Sequence, residues 1–493
     1  MVETNIKGPA GTLAGWDRVS LSDDSVLQEK FISVEQLYAY LKNITSVVDP
    51  RRLRAIEKTV VVHEQDSQNP HKDTLDMFVQ DFVMEILSQV TPGTSPTQYP
   101  SMAYLAEFEL EDTLTVVNLV RDSAITTLDR QGFFVTTDAN KSAFDWATGI
   151  PTVPLFPAVT QTIPNPNVVT TNAIALTGLA SSSGGVSSLK TPAADSNYLT
   201  LTETADTSEH RFSVSFPVVT GQENTSSCFI YPINAKGFLI ILIKPAGKDA
   251  DTTKFVTIDL TNKTASATSD GTYRGHIQVL ANGWIRVGIQ HIAQVTDMVE
   301  MVIYNSTYGV PAEQYTGTLG NPLLAVFGIQ NTTSAGLAPY LADNTTPLAA
   351  STLSIPVSSS PVVPTRGMFG VTFTHNPSLI ATTKEFLFST GTGIAATFDD
   401  VNIITTMSMG AQVLTTTNLC PVGKPVVWSS SYDTGAFKTK TSGSTKTAYS
   451  GSFAPTDTLT KFSFGPFSGG LSQFVYYAIS DNNRALEFIT GEN

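Results

Sequence analysis

Residues 238–260 read Phe-Leu-Ile-Ile-Leu-Ile-Lys-Pro-Ala-Gly-Lys-Asp-Ala-Asp-Thr-Thr-Lys-Phe-Val-Thr-Ile-Asp-Leu. The six apolar residues 238–243 are too few for a helix and suit a strand buried on both faces. After the Pro/Gly/Asp break the pattern alternates. Val256, Ile258 and Leu260 fall on one side and Thr257 and Asp259 on the other, which is the period of two of a half-buried strand. Further short runs follow at 284–289, 298–304 and 323–329, punctuated by Asp270-Gly271 and Asn282-Gly283. Short strands with turn residues between them and no intervening helix predict a sandwich or barrel. The same grammar returns at 369–374, 385–389, 425–432, 461–465 and 474–479, and a short helical segment is expected at 483–489.

Upstream the period changes. In residues 74–90 the apolar positions are Leu75, Phe78, Val79, Phe82, Val83, Ile86, Leu87 and Val90, the i, i+3, i+4, i+7 pattern of an amphipathic helix. Asp49-Pro50 reads as a helix start running to about 63, Ser33 and Gln36 as a capping box, and 101–132 as a further helical stretch. Residues 1–150 are therefore expected to be a helical anchoring and assembly domain. The Pro-rich stretch 151–172 and a Pro/Ser/Thr stretch at 344–364 read as linkers. They leave 173–343 and 365–493 as β modules. The fold class expected is a multidomain α+β chain, a helical domain followed by two antiparallel β-sandwiches.

Composition narrows the partners. The 493 residues carry a net charge of −14 and only 15 % charged side chains, against 41 % hydrophobic. An acidic chain does not track a phosphate backbone, so no nucleic-acid partner is expected. No apolar run is long enough to span a bilayer, and none of the first thirty residues looks like a secretion signal. Folding in a reducing cytoplasm is expected, with Cys228 and Cys420 unpaired. The seven N-x-S/T triplets, at Asn43, Asn140, Asn224, Asn262, Asn305, Asn331 and Asn344, read as by-products of composition.

Signals for chemistry are thin. The histidines, at 63, 71, 210, 276, 291 and 375, form no metal-binding pair. Gly391-Thr-Gly393-Ile-Ala-Ala396 matches a dinucleotide fingerprint but lacks a surrounding βαβ unit, and reads as a Gly-rich hairpin turn. Candidate carboxylates for glycan cleavage are Asp399, Asp400, Glu300 and Glu313, with Asp399 and Asp400 pointing to opposite faces if they lie on one strand. No catalytic residue, metal or cofactor is expected.

Asn282-Gly-Trp284-Ile-Arg286-Val287 is followed by Tyr315-Thr-Gly317, then Leu324-Ala-Val-Phe327-Gly-Ile-Gln330, then Ala338-Pro-Tyr340. This order, over about residues 195–343, resembles a lectin-like module of bacteriophage virion proteins, head spikes and tail fibres above all. Ile285 replaces an aromatic residue usual in that family, and Leu319-Gly320 stands where an acidic residue and glycine are common. Residues 365–493, with Phe369-Gly-Val-Thr-Phe373, Gly470-Leu471 and 476–481, resemble a concanavalin A-like module of the same class. The resemblance implies two jelly-roll, lectin-like sandwiches and a virion structural protein (fibre, spike or decoration) for host-surface attachment or assembly. It implies a homo-oligomer, a trimer by analogy with fibres, with other virion proteins held through residues 1–150. It places Trp284, Arg286, Phe327 and Tyr340 in the module's structural core. A bacterial carbohydrate-binding surface protein and a glycan depolymerase are the alternatives.

The candidate recognition surface is 304–315. Tyr308 and Tyr315 offer flat faces for a sugar ring, and Asn305 offers both a donor and an acceptor. A second cluster is Trp428 with Tyr432 at the end of a strand.

Overall fold

The computed structural model describes residues 18–21, 30–33, 60–61, 102–107, 118–147, 151–163 and, with short interruptions, 174–477. Its core is two stacked pairs of antiparallel sheets. In the first pair, one six-stranded sheet runs Leu179–Ser183, Leu199–Glu203, Pro322–Thr332, Glu223–Pro232, Ile285–Ile292, Tyr273–Val279. The other runs Thr264–Ala265, Val256–Asp259, Phe238–Pro245, Asp297–Ser306, Arg211–Val218, Ala175–Thr177.

The apolar run at 238–243 shows why these residues make this layer. Leu239 and Ile241 turn into the inter-sheet core with Val287, Ile258 and Met301. Ile240 and Leu242 turn the other way and are buried with Val302 and Tyr304. Each such side chain contributes roughly 1.5–3 kcal/mol relative to exposure, so a one-residue register slip would exchange the two buried sets.

The second sandwich pairs two seven-stranded layers. One is Gln412–Leu419, Asn402–Met409, Ile394–Asp399, Glu385–Ser389, Lys461–Phe464, Thr352–Pro356, Asn118–Val120. The other runs Thr447–Ser450, Ala436–Thr441, Val426–Asp433, Gly367–His375, Gly469–Tyr477, Met102–Glu107, and Val153–Leu155 also pairs with Gly469–Tyr477. Phe369, Phe373, Phe398, Phe464 and Trp428 fill its centre.

The helical N-terminal domain is overturned, and with it the α+β class: no described residue is helical. Within 101–132, rich in Ala, Leu and Glu at its start, the described residues form short strands and turns instead. Met102–Glu107 zips onto Gln473–Tyr477, Asn118–Val120 onto Thr352–Ser354, and Ile125–Leu128 forms a hairpin with Phe134–Thr137. Val60–Val61, inside the helix expected over 50–63, is also strand. Pairing with partners distant in sequence outweighs local propensity here. The helices read over 74–90 and 483–489 lie outside the described residues. Part of each Pro-rich stretch is strand: Pro154 pairs with Gly470, and Leu353 with Phe464. The chain thus enters the second sandwich, leaves it at Leu155, builds the first, and re-enters at Thr352.

Candidate functional site

The 304–316 segment leaves strand Asp297–Ser306 and turns back into Gln314–Thr316, which pairs with Thr207–Glu209 across the end of the first sandwich. One carboxylate organises the turn. Glu313 Oε2 accepts hydrogen bonds from Ser306 Oγ (2.6 Å) and from the amides of Thr307 (2.8 Å) and Tyr308 (3.2 Å). Ser306 Oγ in turn accepts from the amides of Gly309 and Val310. Burial alone would raise the Glu313 carboxyl, yet these donors hold it below the usual carboxylate range. Gly309 takes φ +73° to close the turn. The backbone is therefore tied at four successive amides while Tyr308 is 78 % exposed.

The neighbouring residues have other duties. Tyr304 is buried, with the Arg211 guanidinium 5.8 Å from its ring centroid. Asn305 is 3 % exposed and brackets two segments: its Oδ1 accepts from the Lys236 amide (3.0 Å) and its Nδ2 donates to the Tyr315 hydroxyl (2.8 Å). The Tyr315 ring stacks on His210 at 4.0 Å and 14°, and the Lys236 ammonium lies 5.1 Å from its centroid. Burial, and the nearby Glu203 charge, push the Tyr315 hydroxyl well above its ordinary value. Behind it, Glu203 Oε2 accepts from the Thr318 amide and Asn321 Nδ2, both at 2.9 Å. Of the loop residues singled out from sequence, Tyr308 presents its face to solvent, whereas Asn305 and Tyr315 are spent on holding the loop to the sandwich. His210, Glu203 and Lys236 complete this arrangement; they lie about seventy to over a hundred residues from Tyr315 or Asn305 in sequence, and no local pattern signals them.

In the second cluster, Trp428 does not reach the surface. Trp428 is fully buried and its Nε1 donates to Thr405 Oγ1 (3.2 Å), so its size serves the core rather than a ligand. Tyr432 pairs through its backbone with Gly367 and Phe437; its side chain lies outside the described residues. Of the candidate carboxylates, the two with described side chains, Glu300 and Glu313, serve separate contacts. Glu300 pairs with Lys244 (3.1 Å), Glu313 holds its loop, Asp399 closes a strand opposite Asn402, and Asp400 lies outside the described residues.

Trp284, Arg286, Phe327 and Tyr340 share one cluster on the outer face of the first sandwich. Trp284 is fully buried, donates from Nε1 to the Lys190 carbonyl (2.7 Å), and meets Tyr198, Tyr231 and Phe327 edge-on. Arg286 donates to the Ala338 carbonyl (2.6 Å), Gln330 Oε1 (2.8 Å) and Ser227 Oγ (3.2 Å), with its guanidinium 5.2 Å from the Phe229 ring. Desolvation lowers its pKa to about 10. Tyr340 stacks on Phe134 at 4.4 Å, so the hairpin from the N-terminal region roofs the cluster.

Among the described residues, the fold and this site define a class: an all-β protein of two sandwiches, with a hydrogen-bonded loop that displays a tyrosine. Comparison with protein families gives no match, and comparison with curated proteins gives none. Three solved structures are similar to parts of the chain. They are the binding domain of botulinum neurotoxin DC in complex with SialylT (5 % identity, TM-score 0.26, covering 29 % of this chain and 40 % of that one), mouse laminin alpha1 domains LG4-5 (12 %, TM-score 0.19, 56 % and 85 %), and Trypanosoma rangeli sialidase with the inhibitor DANA (8 %, TM-score 0.24, 59 % and 66 %). The chain thus spans about two-fifths of the botulinum chain's length. At these scores the likenesses decide nothing about ligand or role.

Proposed function

We propose that this protein binds carbohydrate without transforming it, and that the Tyr308 loop makes the contact. The observation that carries the reading is an exposed tyrosine ring on a backbone already tied down by Glu313 and Ser306. A sugar ring stacking there loses little to ordering of the protein, and the hydroxyl supplies direction. Loops at the end of a rigid sandwich are common places for recognition. No carboxylate pair faces the loop in a geometry suited to glycosidic cleavage, among the described residues.

Display on a virus particle, as a fibre, spike or decoration protein that self-associates, is the narrower form of this proposal. It rests on the order of motifs over 282–340 and their resemblance to phage modules. Mass spectrometry of purified particles tests it, and absence from them removes it.

Glycan-array binding by wild type and Tyr308→Ala tests the main reading. The substitution should weaken binding at least tenfold, or about 1.4 kcal/mol, and leave the unfolding midpoint unchanged. Undiminished binding by the variant would exclude the loop.

A further inference from the structure

The two sandwiches meet at a polar seam. Glu223, at the start of strand Glu223–Pro232, reaches across to the 377–379 turn of the second sandwich. There its carboxylate accepts from the Ser378 hydroxyl and the Leu379 amide. Gln290, on the neighbouring strand, donates through Nε2 to Glu223 Oε1 (2.7 Å) and to the Pro377 carbonyl (2.9 Å). That fixes the orientation of the Gln290 amide, so its Oε1 must accept from His276 Nε2 at 2.8 Å. Arg274 donates to the same Pro377 carbonyl (2.6 Å). The charged groups around His276 are Arg274 on its own strand, Arg286 on the next strand, and Glu223 beyond Gln290; Asp145 lies on the far side of Arg286. His291 is on the adjacent strand and packs beside Tyr273, at 6.5 Å.

Away from the seam, the two chain crossings between the sandwiches lie side by side. Val159 bridges to Leu348 and Gln161 to Thr332, over a small apolar cluster that includes Phe156, Val159, Leu341 and Leu348. One connection is thus apolar and indifferent to pH. The other is a chain of hydrogen bonds that runs from a histidine through an amide to a carboxylate.

We propose that the Glu223 seam is an acid-released latch between the two sandwiches, which open about the apolar crossing. Acid acts on it through His276, which Gln290 links to the Glu223 carboxylate. A proton on His276 places a third positive charge beside Arg274 and Arg286. Burial, chiefly, has already lowered the His276 pKa to about 4. A lowered histidine pKa means that the closed seam favours the neutral ring. Where opening returns His276 to its ordinary value of about 6.5, closure is fully favoured above that pH and loses ground as pH falls from about 6.5 to about 4. The span of those two values corresponds to a shift of up to about 300-fold towards the open form.

Hydrogen exchange on the full chain tests this. The Leu379 amide donates to Glu223 and the Ile380 amide to Ser378 Oγ, so both report on the latch. Corrected for intrinsic rates, their protection should fall at least tenfold between about pH 7 and about pH 4.5, while strands Ile285–Ile292 and Gly367–His375 stay protected. His276→Gln keeps a donor for Gln290 without titrating, and should move the loss to lower pH. Glu223→Gln should leave both amides poorly protected at neutral pH. Protection in wild type that is unchanged across this range, or lost only together with the core strands, overturns the proposal. So does a His276→Gln profile that superimposes on wild type, a readout that stands even where Glu223→Gln does not fold.

Discussion

His291 offers a direct measure of what burying a titratable ring costs this fold. It is 2 % exposed, and desolvation is the main reason its pKa is lowered to about 4. The unfolded chain returns the ring to about 6.5. The folded state therefore binds fewer protons, and stability rises with pH. The contribution is whole above about pH 6.5, is lost progressively as pH falls towards about 4, and changes no further below that. One pKa unit is about 1.4 kcal/mol, so this ring alone should lower stability by about 1 kcal/mol at about pH 5.5 and by roughly 2–3 kcal/mol at about pH 4.5. His291→Leu keeps an apolar volume in the inter-sheet core and removes the titration. Urea unfolding of both proteins across this range should show the variant losing less stability than wild type by those amounts. Parallel profiles would mean that the ring is solvated or partnered in the folded protein, and the argument from burial would fail.

Other substitutions probe the scaffold. Trp284→Ala empties the middle of the outer aromatic cluster and strands the Lys190 carbonyl; a loss of about 3–5 kcal/mol in denaturant unfolding is expected. Gly328 sits at φ +62°, and a Cβ there would lie 2.9 Å from the Phe229 ring, so Gly328→Ala should cost about 1–3 kcal/mol by the same assay. Cys228 and Cys420 are buried, with thiols pushed up to about 12; a disulfide-exchange reagent should titrate neither in the native protein and both after unfolding.

What could be read from sequence tracks the range of the interaction responsible. The alternation at 255–260 and the apolar run at 238–243 report strands because the period belongs to the segment itself. The error at 101–132 arose because nothing within Met102–Glu107 announces Gln473–Tyr477 as its partner. The same limit governs the site. Tyr308 was legible as a loop tyrosine, but the Tyr315 ring was not legible as occupied, because His210 and Lys236 come from elsewhere in the chain. Trp428 misled by its size and its place near a strand end; the opposite sheet, with Thr405 beneath its indole, decides its burial.

Met102 pairs with Tyr477, and Asn118 with Ser354, while the whole 174–332 sandwich is spelled out between them. On a ribosome this is an order of events. The early edge strands emerge long before their partners exist, and the inner sandwich has every one of its own strands available first. It can fold while the outer one is still unfinished. The 102–107 and 118–120 segments must meanwhile stay unpaired, with strand edges that could join a neighbouring nascent chain. Transposing these N-terminal strands to follow residue 477 would leave Val153–Leu155 as the one described strand of the second sandwich made ahead of the first, and should shorten the interval in which misassembly competes with folding.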